Sequence, residues 1–67
     1  MKEGDGLVAW NECRRIEIFE KATNKRIRVS TADSMRTIGG KVIFYKDSEE
    51  VLVFDPKEYY YRSSKME

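Results

Sequence analysis

Two stretches of the chain consist only of apolar residues, and a polar loop separates them. The stretches are residues 42–45 and 51–54, and the loop is residues 46–50. A hairpin with one wet face alternates apolar and polar residues, because successive side chains point to opposite faces of the sheet. Neither stretch alternates, so we expect both faces of this hairpin to be covered. A chain of 67 residues has little material to cover two faces, so the pattern predicts a homo-oligomer.

An earlier region shows the alternation that the second hairpin lacks. Residues 15–21 and 26–30 alternate apolar with mainly charged residues, and the turn-forming segment 22–25 separates them. The pattern predicts a hairpin with one apolar face, in which Ile18 lies opposite Val29, and Asn24 is expected to take a left-handed conformation. The residues expected on the apolar face are Ile16, Ile18, Ile27 and Val29.

The segment between the hairpins carries a helix signal. Ser30 is a suitable N-cap, and Gly39 follows the segment as a helix stop. Within it Ala32, Met35 and Ile38 are spaced three apart, as on one side of a helix. The sequence predicts a short helix over residues 31–38 that forms by packing on the sheet.

A second helix is predicted at the C-terminal end. Asp55 is a good N-cap, Pro56 suits the first helical position, and Glu58 completes a capping box. These signals favour a helix over residues 56–62, although the tyrosines at 59–61 prefer strands. The predicted fold class is therefore α+β, in the order ββαββα, as one domain over residues 1–67 with loose ends at 1–6 and 63–67.

The composition limits the chemistry available to this domain. Cys13 is the only cysteine and histidine is absent, so an intrachain disulfide and a structural zinc site are excluded. The lack of histidine also removes the commonest general base. We therefore expect that the protein is not an enzyme and binds no metal or cofactor. The longest apolar runs are four residues, and the first nine residues do not resemble a secretory signal. The expected location is cytoplasmic, with no membrane contact.

Positive charge is concentrated in the middle of the chain. The net charge is +1, but residues 14–46 contain nine lysines and arginines against three acidic residues. A two-stranded ribbon with arginines beside an aromatic residue suits DNA or RNA, so we predict nucleic-acid binding by the charged face of the first hairpin. The alternative is a solvated face whose arginines pair with Glu17 and Glu20. The predicted nucleic-acid-binding residues are Arg15, Phe19, Lys21, Arg26 and Arg28.

The apolar hairpin and the tyrosine segment suggest a protein interface as well. The predicted function is a small regulatory module that self-associates and binds nucleic acid. The alternative is an inhibitor or adaptor that binds a target protein through an apolar and tyrosine-containing surface. The predicted interface residues are Val42, Phe44, Val51, Val53, Tyr60 and Tyr61.

The predicted order of elements resembles, in topology only, the swapped-hairpin regulators and antitoxins that dimerise and bind DNA. The resemblance covers residues 26–53 and is carried by Ile27, Val29, Arg36, Ile38 and Gly39. Ser30 stands where those proteins usually have proline, and their Gly-Asp turn before the third strand is missing. The resemblance implies a dimer that binds DNA.

Overall fold

The computed structural model describes residues 6–66, and this part of the chain is all-β. Five antiparallel strands form one sheet: β1 (Gly6–Glu20), β2 (Arg26–Ile38), β3 (Lys41–Lys46), β4 (Glu49–Phe54) and β5 (Tyr59–Lys65). The strand order is β4-β3-β2-β1-β5, so the chain runs as a meander through four strands and then returns to pair β5 with β1. Residues 6–66 contain no helix. The predicted α+β class is therefore wrong, and so is the order of elements on which the resemblance was based.

The segment predicted as the first helix, residues 31–38, is the second half of β2. Ala9 pairs with Ser34 and Arg14 pairs with Ala32, so four residues of β1 lie opposite Asp33 alone. In a regular strand, residues three apart point to opposite faces. This irregularity changes which face alternate residues of β2 point to, so Ala32 and Met35 are both buried although they are three residues apart. The helix-like spacing therefore arises from two strand segments joined at a bulge.

The segment predicted as the second helix makes one turn and then becomes β5. Oδ1 of Asp55 accepts a hydrogen bond from the backbone N–H of Lys57 at 2.9 Å. This bond lowers the pKa of the Asp55 carboxyl, and the nearby Lys41 ammonium lowers it further. The turn ends at Tyr59, because the tyrosines that follow prefer strands and can pair along β1 from Glu20 onward. Residues 63–65, expected to be loose, belong to β5, whereas residues 1–5 and 67 lie outside the described residues.

The first hairpin forms, but in a different register from the predicted one. The turn includes Asn24, whose φ of 63° confirms the predicted left-handed conformation. Ile18 pairs with Arg28, not with Val29, and Ile27 is the extra residue of a bulge between this pair and the next. Ile27 and Val29 are consequently about half exposed, at 49% and 48%, so their predicted place on the apolar face is wrong.

The second hairpin forms and supplies half of the core. The predicted loop over residues 46–50 is a two-residue turn, however, and only one of the two faces expected to be covered is buried within this chain. Asp47 and Ser48 both have positive φ, the conformation of a two-residue type I′ turn. One face of the hairpin is buried, with Phe44 fully inaccessible to solvent. The buried apolar residues are Ile16, Ile18, Ala32, Met35, Val42, Phe44, Leu52 and Phe54.

The sheet curls around this core. Strands β4 and β5 are at opposite edges, about 19 Å apart if the sheet were flat. The rings of Phe54 in β4 and Tyr61 in β5 nevertheless lie 6.1 Å apart, centroid to centroid. The curled sheet therefore has two distinct outer faces, one over β5, β1 and the start of β2, the other over the start of β1, the end of β2, β3 and β4.

Candidate nucleic-acid interface

The first outer face is built from alternate residues of β1 and their partners. Ile16 and Ile18 are buried, so Arg15, Glu17 and Phe19 point outward. Residues paired directly across antiparallel strands share a face. Strand β5 therefore adds Arg62 opposite Glu17 and Tyr60 opposite Phe19, and β2 adds Arg26 on the other side of Phe19. The exposed Val29 lies opposite Glu17 on the same surface. We call this surface the cationic face, and its charged and aromatic members are Arg15, Glu17, Phe19, Arg26, Tyr60 and Arg62.

Glu17 lies at the centre of the cationic face and binds two arginines. Nη1 of Arg26 donates a hydrogen bond to Oε2 of Glu17 at 2.9 Å, and Nη2 of Arg15 lies 3.8 Å from the same oxygen. The hydrogen bond from Arg26 is the main reason that the pKa of Glu17 is below its ordinary value. Partial burial opposes this effect, and the charges of Arg15 and Arg62 add to it. Glu17 contacts two guanidinium groups and lies near a third, that of Arg62, so the face keeps an excess of positive charge.

An aromatic pair adjoins the arginines. Phe19 and Tyr60 lie opposite each other on β1 and β5, and their rings stack at 5.1 Å with an interplanar angle of 11°. The guanidinium carbon of Arg62 is 5.4 Å from the centroid of the Phe19 ring, within cation–π range. The hydroxyl of Tyr60 donates a hydrogen bond to Oδ1 of Asn24, which ties the stack to the first hairpin's turn. The arrangement joins a stacking surface to phosphate-binding groups.

The structure brings together three of the five residues predicted to bind nucleic acid, namely Arg15, Phe19 and Arg26. Arg28 is not on the cationic face, because the register pairs it with Ile18, and it lines a cavity of about 200 Å³ against β4. Nζ of Lys21 donates a hydrogen bond to the carbonyl oxygen of Pro56 at 2.7 Å, so this side chain braces the turn before β5.

Arg62 is the member of the cationic face that sequence reasoning missed. The sequence predicts Arg62 as the last residue of the C-terminal helix over residues 56–62. In the structure Arg62 lies in β5 opposite Glu17. The alternation of Tyr60 and Arg62 along a strand was the signal that could have placed both residues on one face.

Six residues were predicted to form a protein interface, and the structure places some of them in the core and others at the surface. They are Val42, Phe44, Val51, Val53, Tyr60 and Tyr61. Val42 and Phe44 are buried in the core of this chain, and Val51 packs against that core. Tyr61 contacts Phe44 edge-on, with ring centroids 5.1 Å apart. Val53 is 55% exposed and belongs to the second outer face.

The comparisons with known proteins add no function to this geometry. No family model, no curated protein and no solved structure matches the chain. Across residues 6–66 we find no group of three or more metal-binding side chains. The same part of the chain has no helix of the length and hydrophobicity needed to cross a membrane.

Proposed function

We propose that this chain is a small, non-enzymatic regulatory module that binds nucleic acid through its cationic face. The observation that carries the proposal is that Arg15, Arg26 and Arg62 lie around the single carboxylate of Glu17, which pairs with the first two, beside an aromatic stack. Guanidinium groups bind phosphate oxygens, and aromatic rings stack on bases, so the two features suit the two chemical parts of a nucleic acid.

The three arginines come from three neighbouring strands, β2, β1 and β5. Adjacent strands are about 4.8 Å apart, so the three backbone positions that carry these arginines span about 10 Å across the sheet. A phosphate backbone that crosses the strands would meet one arginine at each of them. The side chains of Arg15 and Arg26 are about half exposed, 53% and 49%, which leaves donors free for such contacts.

The test is the salt dependence of binding to labelled single-stranded DNA, single-stranded RNA and duplex DNA, followed by fluorescence anisotropy. Each phosphate contact contributes about −0.9 to the log–log slope on duplex DNA and about −0.7 on a single strand. Arg62→Gln is expected to weaken binding and to reduce the steepness of the slope by about the contribution of one phosphate contact. Arg28→Gln is the matched control, because it removes the same charge from a residue that lies off the cationic face.

Two results would contradict the proposal. One is a lack of binding to all three nucleic acids at low salt, which would favour the alternative of a protein-directed inhibitor or adaptor. The other is an equal effect of Arg28→Gln and Arg62→Gln, which would indicate a general attraction to positive charge and no role for this face. Circular dichroism of both variants establishes that each retains the fold.

A further inference from the structure

The second outer face carries a row of side chains that crosses four strands. Leu7 pairs with Arg36, Arg36 with Ile43, and Ile43 with Val53, so these residues of β1, β2, β3 and β4 are neighbours in one line. The next row, which includes Met35, Phe44 and Leu52, points into the core. Leu7 and Val53 are 57% and 55% exposed, the highest values among the large apolar residues of this face.

Charges of both signs accompany this apolar row. Arg36 and Leu7 line a shallow cavity of about 300 Å³ together with Tyr45 and the two acidic residues Asp33 and Asp47. Nε of Arg36 is buried and has no hydrogen-bond partner among the residues that the structure describes. Oδ2 of Asp33 accepts the backbone N–H of Asp47 at 3.1 Å, which holds the two acidic residues side by side. We call this surface the apolar face: Leu7, Asp33, Arg36, Ile43, Tyr45, Asp47 and Val53.

We propose that the apolar face is an interface between two copies of this chain. In a twofold-symmetric contact the same surface meets itself, so it must be complementary to itself. The apolar face meets that requirement, because it offers apolar area to apolar area and places one arginine near two acidic residues. In such a dimer Arg36 of one copy can pair with an acidic residue of the other. The contact does not use the cationic face, so it is independent of the proposed nucleic-acid binding.

The size of the face limits the strength of the contact. Four strands with about five residues each span about 19 by 17 Å. The product, about 320 Å², is well below the about 800 Å² that a standard specific interface buries on each partner. We therefore expect a weak dimer, with a dissociation constant of about 100 μM.

Sedimentation equilibrium of the full chain, from about 5 to 500 μM, tests this interface by covering the expected micromolar dissociation constant. The mass of the wild-type chain is expected to rise from 7.9 kDa towards twice that value. Val53→Glu places a charge at an exposed position of the interface and is expected to weaken the dimer by at least about tenfold. Ile27→Glu is the matched control, because Ile27 is exposed to a similar degree, 49%, and lies outside the apolar face.

The result that overturns the proposal is a wild-type monomer throughout this range, or equal weakening by Val53→Glu and Ile27→Glu. Circular dichroism reports whether each variant folds. If Val53→Glu does not fold, Val53→Thr and Arg36→Gln replace it, since threonine keeps the branched shape and glutamine removes only the charge. Both are then expected to weaken the dimer, and an unchanged mass curve for both would also overturn the proposal.

Discussion

Glu17 and Arg26 are joined by a hydrogen bond of 2.9 Å that depends on the bulge at Ile27. The bulge places Arg26 opposite Phe19, two positions along β1 from the pair formed by Glu17 and Val29. Without the extra residue, Arg26 and Arg28 would lie on the same face of the sheet, because residues two apart in a regular strand share a face. That face is the one opposite to the cationic face. A single irregularity in β2 thus determines which of the two arginines belongs to the cationic face.

The first prediction concerns the dependence of stability on pH. The pKa of Glu17 is lower in the folded chain than its ordinary value, chiefly because Arg26 donates to its carboxylate. The unfolded chain therefore takes up the proton at a higher pH than the folded chain does. The resulting stabilisation is fully present above the unfolded pKa of about 4.3 and is lost as the pH falls through the folded value.

Urea unfolding between pH 3 and pH 7 measures this effect. Wild-type stability is expected to decline below about pH 5, and Glu17→Gln should show a weaker decline. Glu49→Gln is the control, because Glu49 is exposed in the second hairpin, away from the arginines. Identical pH profiles for the wild type and Glu17→Gln would contradict the prediction.

The second prediction is a gain of binding. Glu17 is the one carboxylate among the three arginines of the cationic face, and it pairs with Arg15 and Arg26. Glu17→Gln keeps the shape of the side chain and removes its negative charge, so it should tighten nucleic-acid binding and steepen the salt dependence. Anisotropy titrations at two salt concentrations measure both quantities. The same change at Glu49 serves as the control, and an affinity that Glu17→Gln leaves unchanged or lowers would argue against phosphate contacts at this face.

The third prediction concerns the turn between β3 and β4. Ser48 has a φ of 68°, a left-handed conformation that costs a residue other than glycine about 1–2 kcal/mol. Ser48→Gly should therefore raise the free energy of unfolding by about 1 kcal/mol, as read from urea denaturation. Ser64→Gly is the control. Ser64 lies in β5 and pairs with Arg15 of β1, and glycine within a strand is expected to lower the stability. A loss of stability in Ser48→Gly would mean that its side chain contributes more than the backbone conformation costs.

The fourth prediction concerns the core. Phe44 has no exposed surface, and its ring contacts those of Phe54 and Tyr61 at 6.1 and 5.1 Å. Phe44→Ala should cost about 3–5 kcal/mol of stability, a large share of what a domain of this size possesses. Val53→Ala, on the outside of the neighbouring strand, should change the stability by no more than about 0.5 kcal/mol. Comparable losses in both variants would show that the outer side of β4 is buried in solution.

The sequence predicted the local features of this fold more reliably than the distant ones. The second hairpin, the turn near Asn24 and the hydrogen bond from the backbone to Asp55 were predictable, because each depends on residues close together in the chain. The helix expected after Asp55 was not among them, since only one turn forms there. The spacing of Ala32 and Met35 was misleading, because a bulge in a strand and a helical turn produce the same separation. No local pattern distinguishes the two.

The candidate site was predicted in part for a related reason. Arg15 and Phe19 lie on one strand, and alternation along that strand was sufficient to group them. Arg26 was grouped with them from a register that the structure does not have, and the bulge in β2 is what places it on the same face. Excluding Arg28 required knowledge of the register, which a one-residue bulge changes. Including Arg62 required the pairing of β5 with β1, which joins segments far apart in the sequence.

The pairing of β5 with β1 also has a kinetic consequence. Each of the other three strand pairs is a hairpin, whereas β1 and β5 can meet only after the chain has closed its longest loop. The conformational entropy lost in that closure grows with loop length, so we expect this pairing to form late in folding and to open early under denaturant. The cationic face contains Tyr60 and Arg62 of β5, and therefore it is complete only in a chain that has finished folding.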